Sequence, residues 1–322
     1  MKKNIILVGC GNIGSRHLQA LMKLPISVDI HIVEKSNKSI SLAKSRLSEI
    51  KFNKKNHQIF WYTSINQLTQ KSDLVIISTL SQGRVNLILN LLKKDNKKFL
   101  IEKPVCQSKQ EYENLLKQMK SFRATGWVNT NRRYFESYRK IKQELKNSKF
   151  LNINVFSKAS GLGTNAIHFI DLFSWLTNDS KIKLNGEFLS PKLFPNKRGK
   201  QFKEFYGTIV GSGKNESSLS LSFLPSKIES IFVTISTDIA NYAIDELNQN
   251  AFKIGRYNKN FKFSYEHASK LTTLIVKDIL LKNTSFLPKL DESYIVHVEL
   301  FRIFNLHIKK QLKRQVSLCP IT

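Results

Sequence analysis

Gly9-Cys10-Gly11-Asn12-Ile13-Gly14 lies between a strand-like run, Asn4–Val8, and a stretch of helical periodicity, Ile13–Leu24. A GxGxxG spacing is weak evidence by itself. Placed between a strand and a helix, it predicts a phosphate-binding turn. Gly9 permits the tight turn, Gly11 lets the backbone approach a pyrophosphate, and Gly14 allows close helix–strand packing. Asn12 and Ile13 complete the turn, and the helix start offers backbone N–H groups to an anion. The next apolar run, Val28–Val33, ends at Glu34, 20 residues after Gly14. A carboxylate there accepts from the adenosine ribose hydroxyls and repels a 2′-phosphate. NAD is therefore expected over NADP, with Lys35 and Ser36 tempering the exclusion.

Outward from this turn, strand and helix signals alternate. Gln58–Tyr62, Leu74–Ser78 and Phe99–Ile101 read as strands, and Ser39–Glu49 and Arg84–Lys94 as helices. Such alternation predicts a parallel sheet with crossover helices, and the unbroken apolar run Leu74–Ile77 suits a strand buried on both faces. After Val128 the pattern changes. A helix over Phe135–Lys146, an alternating strand over Leu151–Ser157 and a helix over Asn165–Leu176 come first. Strand-like runs follow at Lys181–Leu189, Phe205–Val210, Ser217–Phe223, Ser230–Ser236 and Tyr242–Leu247. Gly211-Ser212-Gly213-Lys214 reads as a hairpin turn. Helices over His267–Leu281 and Asp291–Lys310 close the chain. The expected class is α/β: a Rossmann doubly wound parallel sheet over residues 1–125, then an α+β domain with a mixed or antiparallel open sheet over 126–322. The second domain is expected to handle substrate and oligomerisation, with its closing helices at about 265–312.

Composition bounds the function. Hydrophobic residues make up 41% and charged residues 24% of the chain, which excludes disordered and fibrous classes. Cys10, Cys106 and Cys319 have no CxxC spacing, which argues against a structural zinc site and a disulfide scaffold. No metal site is expected. Lys2-Lys3 before Ile5–Val8 resembles a leader, but the apolar stretch is too short for one, and no run approaches a membrane span. A cytoplasmic protein without a membrane partner is expected. The net charge is +28, with +19 in residues 1–150 and +9 in 151–322. The lysines are scattered (Lys54-Lys55, Lys93-Lys94, Lys97-Lys98) and accompany no nucleic-acid-binding motif. They read as a solvated surface that can steer an anionic substrate, with no nucleic-acid partner.

Glu102-Lys103-Pro104 follows the fifth strand, at the carboxyl edge where open α/β sheets bind ligands. Pro104 restricts the backbone of Lys103 and so helps aim its side chain. Together with the GxGxxG turn, this tripeptide resembles the Gfo/Idh/MocA oxidoreductases. Four stretches carry the resemblance: Gly9–Leu21, Val128–Tyr138, Gly161–Leu176 (GLGTNAIHFIDLFSWL) and Leu287–His297. It implies hydride transfer between NAD(P) and the CH–OH group of a sugar, nucleotide sugar or related polyol, in a homo-oligomer such as a dimer or tetramer. The Gly163–Asp171 run is most similar to a subgroup associated with surface-polysaccharide and nonulosonic-acid sugars.

The resemblance also implies residue roles. Lys103 would bind the reacting hydroxyl and assist proton transfer, with His168 as the partner acid/base. Asp171, at i+3 from His168, would orient the imidazole. Thr79 and Glu102 would join Glu34 and the glycine turn around the cofactor, while Arg133, Thr164 and Asn165 would face substrate. Two departures stand out: Thr164 replaces an Asp common in the family, and Arg84 stands where a His is usual. The competing reading is a non-catalytic dinucleotide-binding sensor or assembly protein of the same fold.

Overall fold

A computed structural model describes residues 2–52, 56–158, 160–255, 258–266 and 268–322. His267, where the sequence reading starts a closing helix, lies outside the described residues. Contacts divide the chain into two compact units, each assembled from separated segments.

Unit 1 takes the chain as far as Cys106, then Gln110–Asn131 and Glu266–Asp291. Its strands are β1 (Lys3–Val8), β2 (Val28–Val33), β3 (His57–Tyr62), β4 (Leu74–Ile77), β5 (Lys98–Ile101) and β6 (Thr125–Val128). They form one parallel sheet in the order β3-β2-β1-β4-β5-β6. All four residues of β4 are buried, as expected of a strand covered on both faces. The strand order reverses beside β1, so the turn that leaves β1 at Gly9 opens at the topological switch point. The helices are α1 (Gly14–Leu21), α2 (Asn37–Ser48), α3 (Arg84–Lys93), α4 (Lys109–Ser121) and, from much later in sequence, α7 (Ala268–Lys282). Thr273 Oγ1 donates to the Ala20 carbonyl at 2.9 Å, and Thr272 Oγ1 lies 2.9 Å from His17 Nδ1. α7 thus packs on α1, and unit 1 is not the continuous span 1–125 expected for the first domain.

Unit 2 comprises Gln107–Lys109, Arg132–Tyr265 and Glu292–Thr322. It contains α5 (Glu136–Glu144), α6 (Leu162–Thr177), most of α8 (Leu290–Leu312) and strands β7 to β16. Among the described residues, with β8 (Lys183–Asn185), β14 (Asn241–Asp245), β15 (Asn250–Ile254) and β16 (Lys259–Lys262), an eight-stranded sheet runs in the order β16-β15-β14-β13-β7-β12-β11-β8. Central β7 (Leu151–Lys158) pairs parallel with β12 (Ser218–Leu224) and antiparallel with β13 (Ser230–Thr237), so the sheet is mixed. Ile153, Val155, Leu221, Phe223, Val233 and Ile235 are buried, whereas the alternate residues Asn154, Ser220, Ser222 and Thr234 reach solvent. That period of two is a sheet with one packed face. α6 packs against β7, β12 and β10 (Gly199–Glu204), and the rings of Phe169 and Phe223 meet edge-on at 6.0 Å. The β11 (Gly207–Ser212) to β12 hairpin closes through residues 213–217, slightly beyond the Gly-Ser-Gly-Lys stretch that marks it in sequence. Among the described residues no helix is long and apolar enough to cross a membrane.

Candidate active site

The glycine turn has the geometry its spacing requires. Gly9 takes φ +84°, and a Cβ there would come 3.0 Å from the Thr79 backbone N. A Cβ at Gly14 would overlap the Gly9 carbonyl oxygen, so α1 can start this close to β1 only without a side chain. At Gly11 the nearest atom to an added Cβ is Ser39 Oγ at 3.8 Å, which leaves backbone open to an approaching ligand. Glu34 is half-buried beside the turn. Its Oε2 accepts from Cys10 N at 2.7 Å and its Oε1 from Ser36 N at 2.9 Å. Burial, followed by the charge of Glu34, pushes the Cys10 thiol up to about 12, so Cys10 is inert rather than nucleophilic. The buried Thr79 hydroxyl finds no hydrogen-bond partner among the described residues, a need that a bound ligand can satisfy. These features fit a dinucleotide. Arg46 on α2 also reaches the turn, donating to the Asn12 carbonyl at 2.5 Å and Ser15 Oγ at 2.6 Å. It carried no motif, because only the fold brings it across 30 residues of sequence.

Lys103 sits at the carboxyl edge of the sheet, 8% exposed, before a cis peptide bond to Pro104. Two buried devices hold its loop. Arg84, at the start of α3, donates to the backbone carbonyls of Thr79, Glu102 and Pro104 and so brackets Lys103 on both sides. The second is the side chain of Glu102, whose Oε1 accepts from Asn129 Nδ2 at 2.5 Å and from His17 Nε2 at 3.0 Å. Burial alone would raise the Glu102 carboxyl. His17 by hydrogen bond and charge, the Asn129 hydrogen bond and the Lys103 charge outweigh it and hold the group down at about 2. Glu102 is thus an internal anchor between β5, α1 and β6.

Unit 2 presents Thr164, Asn165 and His168 as the half-buried polar residues of the first turns of α6, flanked by buried Ala166, Ile167 and Phe169. Asn165 Nδ2 donates to the Gly161 carbonyl at 3.3 Å. Arg133 and Asp171 pair with each other. Arg133 is 3% exposed and donates to both oxygens of Asp171, Nε to Oδ2 at 2.9 Å and Nη2 to Oδ1 at 2.7 Å. Its Nη1 donates to Glu292 at 2.5 Å. Arg133 is therefore the hub of an ion-pair network with Asp171 and Glu292. Spacing along one helix cannot reveal a cation arriving from another element. Sequence reasoning also missed Glu204, whose buried carboxylate accepts from Thr164 Oγ1 at 2.6 Å and Asn196 Nδ2 at 3.2 Å.

Residues 3–130 match the oxidoreductase family described by its NAD-binding Rossmann fold, the Gfo/Idh/MocA family. Residues 3–130 are thus similar to the NAD-binding domain of the Gfo/Idh/MocA oxidoreductases. Solved structures extend the likeness in fold across nearly the whole chain. A Gfo/Idh/MocA oxidoreductase from Vibrio cholerae superposes with TM-score 0.68 at 18% identity, over 97% of this chain and 100% of that one. An Agrobacterium radiobacter oxidoreductase solved with NAD+, L-tartaric acid and magnesium gives TM-score 0.73 at 13% identity, over 93% and 94%. UDP-N-acetylglucosamine 3-dehydrogenase from Acidithiobacillus ferrooxidans gives 0.70 at 14%, over 97% and 99%. No curated protein sequence matches the chain.

Proposed function

We propose that the chain as a whole is a Gfo/Idh/MocA oxidoreductase, a cytoplasmic enzyme that oxidises or reduces a CH–OH group of a sugar, nucleotide sugar or related polyol, using NAD in preference to NADP. The carrying observation is the Glu34 carboxylate, fixed by the backbone N–H groups of Cys10 and Ser36 beside the open glycine turn. A negative charge held there favours a ribose with both hydroxyls and disfavours a 2′-phosphate. The dinucleotide, when bound, supplies or takes up the hydride. Lys103 binds the reacting hydroxyl and, as a cation, stabilises developing alkoxide. His168 takes or returns the proton. Likeness in fold to a nucleotide-sugar dehydrogenase supports a sugar-type substrate. The open face of the unit 2 sheet suits pairing with further copies of the chain.

The test is steady-state kinetics on a panel of sugars and nucleotide sugars with NADH and NADPH. Lys103→Ala and His168→Ala are expected to lower turnover about 10²–10⁴-fold with dinucleotide affinity retained. Near wild-type turnover in both variants would overturn the assignment, and dinucleotide binding without turnover of any sugar would favour a sensor.

A further inference from the structure

We propose that Arg84 is a positioning residue. Its guanidinium ties the Lys103 loop to the loop beside the glycine turn, so that it governs the rate of hydride transfer by acting through Lys103. This rests on the reading of the chain as an oxidoreductase in which Lys103 binds the reacting hydroxyl. Arg84 opens α3 and is 2% exposed. Its Nη1 donates to the carbonyls of Glu102 and Pro104, and its Nη2 to that of Thr79. The first two carbonyls flank Lys103, one residue away on each side. Thr79 follows β4, the sheet neighbour of β5, and β5 leads into Lys103. The β4–β5 ladder ends at Ile77 and Ile101, with a last hydrogen bond from Glu102 N to the Ile77 carbonyl at 2.9 Å. Beyond that point Arg84 takes over from the ladder and joins the two strand ends.

The placement of Arg84 runs against local electrostatics. A helix N-terminus carries partial positive charge, so a cation in the first turn is disfavoured, and the first turn of α3 has no acidic residue to offset it. Burying the charge costs more still. A residue that breaks local rules twice is expected where function requires it. What the guanidinium gives in return is geometry. Its donors lie in one rigid plane and hold three carbonyls at once, which an ammonium on a flexible stem does less rigidly. α3 is itself anchored, since Val85, Ile88, Leu91 and Leu92 are buried. Lys103 carries its amine at the end of a four-carbon stem, so a small tilt of the Cα–Cβ bond becomes a large displacement of the amine. A catalytic group has to be held to about 0.5 Å and about 10–20°. Holding the carbonyls on both sides of Lys103 restrains that tilt. The third carbonyl fixes the other end of the link. A Cβ at Gly9 would meet Thr79 N at 3.0 Å, so the Thr79 peptide lies against the glycine turn. Arg84 therefore reaches from the backbone beside the dinucleotide turn to the backbone that aims the amine.

The experiment is a double-mutant cycle on the sugar that is turned over, with wild type, Arg84→Met, Lys103→Ala, the double variant and Arg84→Lys. Thermal melting checks each fold, and fluorescence titration gives NADH affinity. Where Lys103→Ala is too slow to measure, Lys103→Arg takes its place. Arg84→Met is expected to lower kcat about 10²-fold, the cost of displacing a catalytic group by about 1 Å. NADH affinity should stay within about twofold of wild type, because Glu34 and the Gly9 carbonyl keep their own partners. Arg84→Lys should recover part of the lost kcat. In the Lys103→Ala background, Arg84→Met should cost no more than about twofold, since the group it positions is gone. Equal costs in the two backgrounds mean that Arg84 does not act through Lys103 and defeat this inference alone. A folded Arg84→Met with wild-type kcat also overturns it. If Arg84→Met does not fold, the cycle is run with Arg84→Lys on the same criteria. If neither folds, Arg84 is a requirement of the fold alone and the proposal fails. Wild-type turnover in Lys103→Ala, or no turnover of any sugar, defeats the underlying reading and this inference with it.

Discussion

At the scale of single residues, burial and partner charge decide what each group does, and Glu102 shows it most clearly. Its folded carboxyl is held at about 2 against an ordinary 4.5. The unfolded chain therefore binds the proton first as pH falls. The stabilisation is complete above about 4.5 and drains away as pH drops towards 2. Its size is on the order of 3 kcal/mol. Urea unfolding of wild type and Glu102→Gln between pH 2 and 7 should show a steeper acid loss in wild type. Parallel curves would mean that Glu102 is not anchored by His17 and Asn129 in solution. The residues that face the dinucleotide turn were legible because each follows a strand at a set spacing, as Glu34 follows β2. Arg84, Arg133 and Glu204 were not, because what they do depends on carbonyls, carboxylates or hydroxyls supplied by other elements.

At the scale of elements, the β1–turn–α1 unit is the most constrained. A Cβ at Gly14 would overlap the Gly9 carbonyl oxygen and stand 2.8 Å from Ser78 Oγ. Neither can retreat freely, since Ser78 Oγ donates to that same carbonyl at 2.6 Å. Gly14→Ala should cost about 1–3 kcal/mol through forced backbone movement. It should also weaken NADH binding, because the displaced turn would no longer present its N–H groups; fluorescence titration and urea unfolding measure both. Unchanged NADH affinity would remove the turn from the binding site. Long apolar runs such as β1 and β2 were readable for the same reason that they are buried. β6 escaped because Thr125–Val128 has four residues and includes Gly126, and β9 (Phe194–Asn196) because it has three and contains a proline. α4 is mostly polar, and only Tyr112, Leu115 and Met119 are buried, a sparse stripe that periodicity barely marks.

At the scale of the molecule, the chain leaves the dinucleotide-binding unit after Asn131 and returns to it at Glu266. Chain order predicts contiguous domains, and nothing local in α7 announces that it belongs with α1. The packing does: Leu271, Ile275, Val276 and Ile279 are fully buried, and Thr272 and Thr273 reach His17 and the Ala20 carbonyl. Burying each such aliphatic side chain contributes roughly 1.5–3 kcal/mol, so four contribute roughly 6–12. That is comparable to the whole stability of a domain, about 5–15 kcal/mol. A fragment ending at residue 131 keeps every strand of the parallel sheet and the complete glycine turn, yet should lack cooperative unfolding and bind NADH weakly. Joining residues 266–291 to it through a flexible linker should restore a sharp thermal transition and NADH binding. Calorimetry and fluorescence on the two fragments check this. If the shorter fragment melts as sharply as the longer one and binds NADH equally well, α7 is a cover on the unit rather than part of its core.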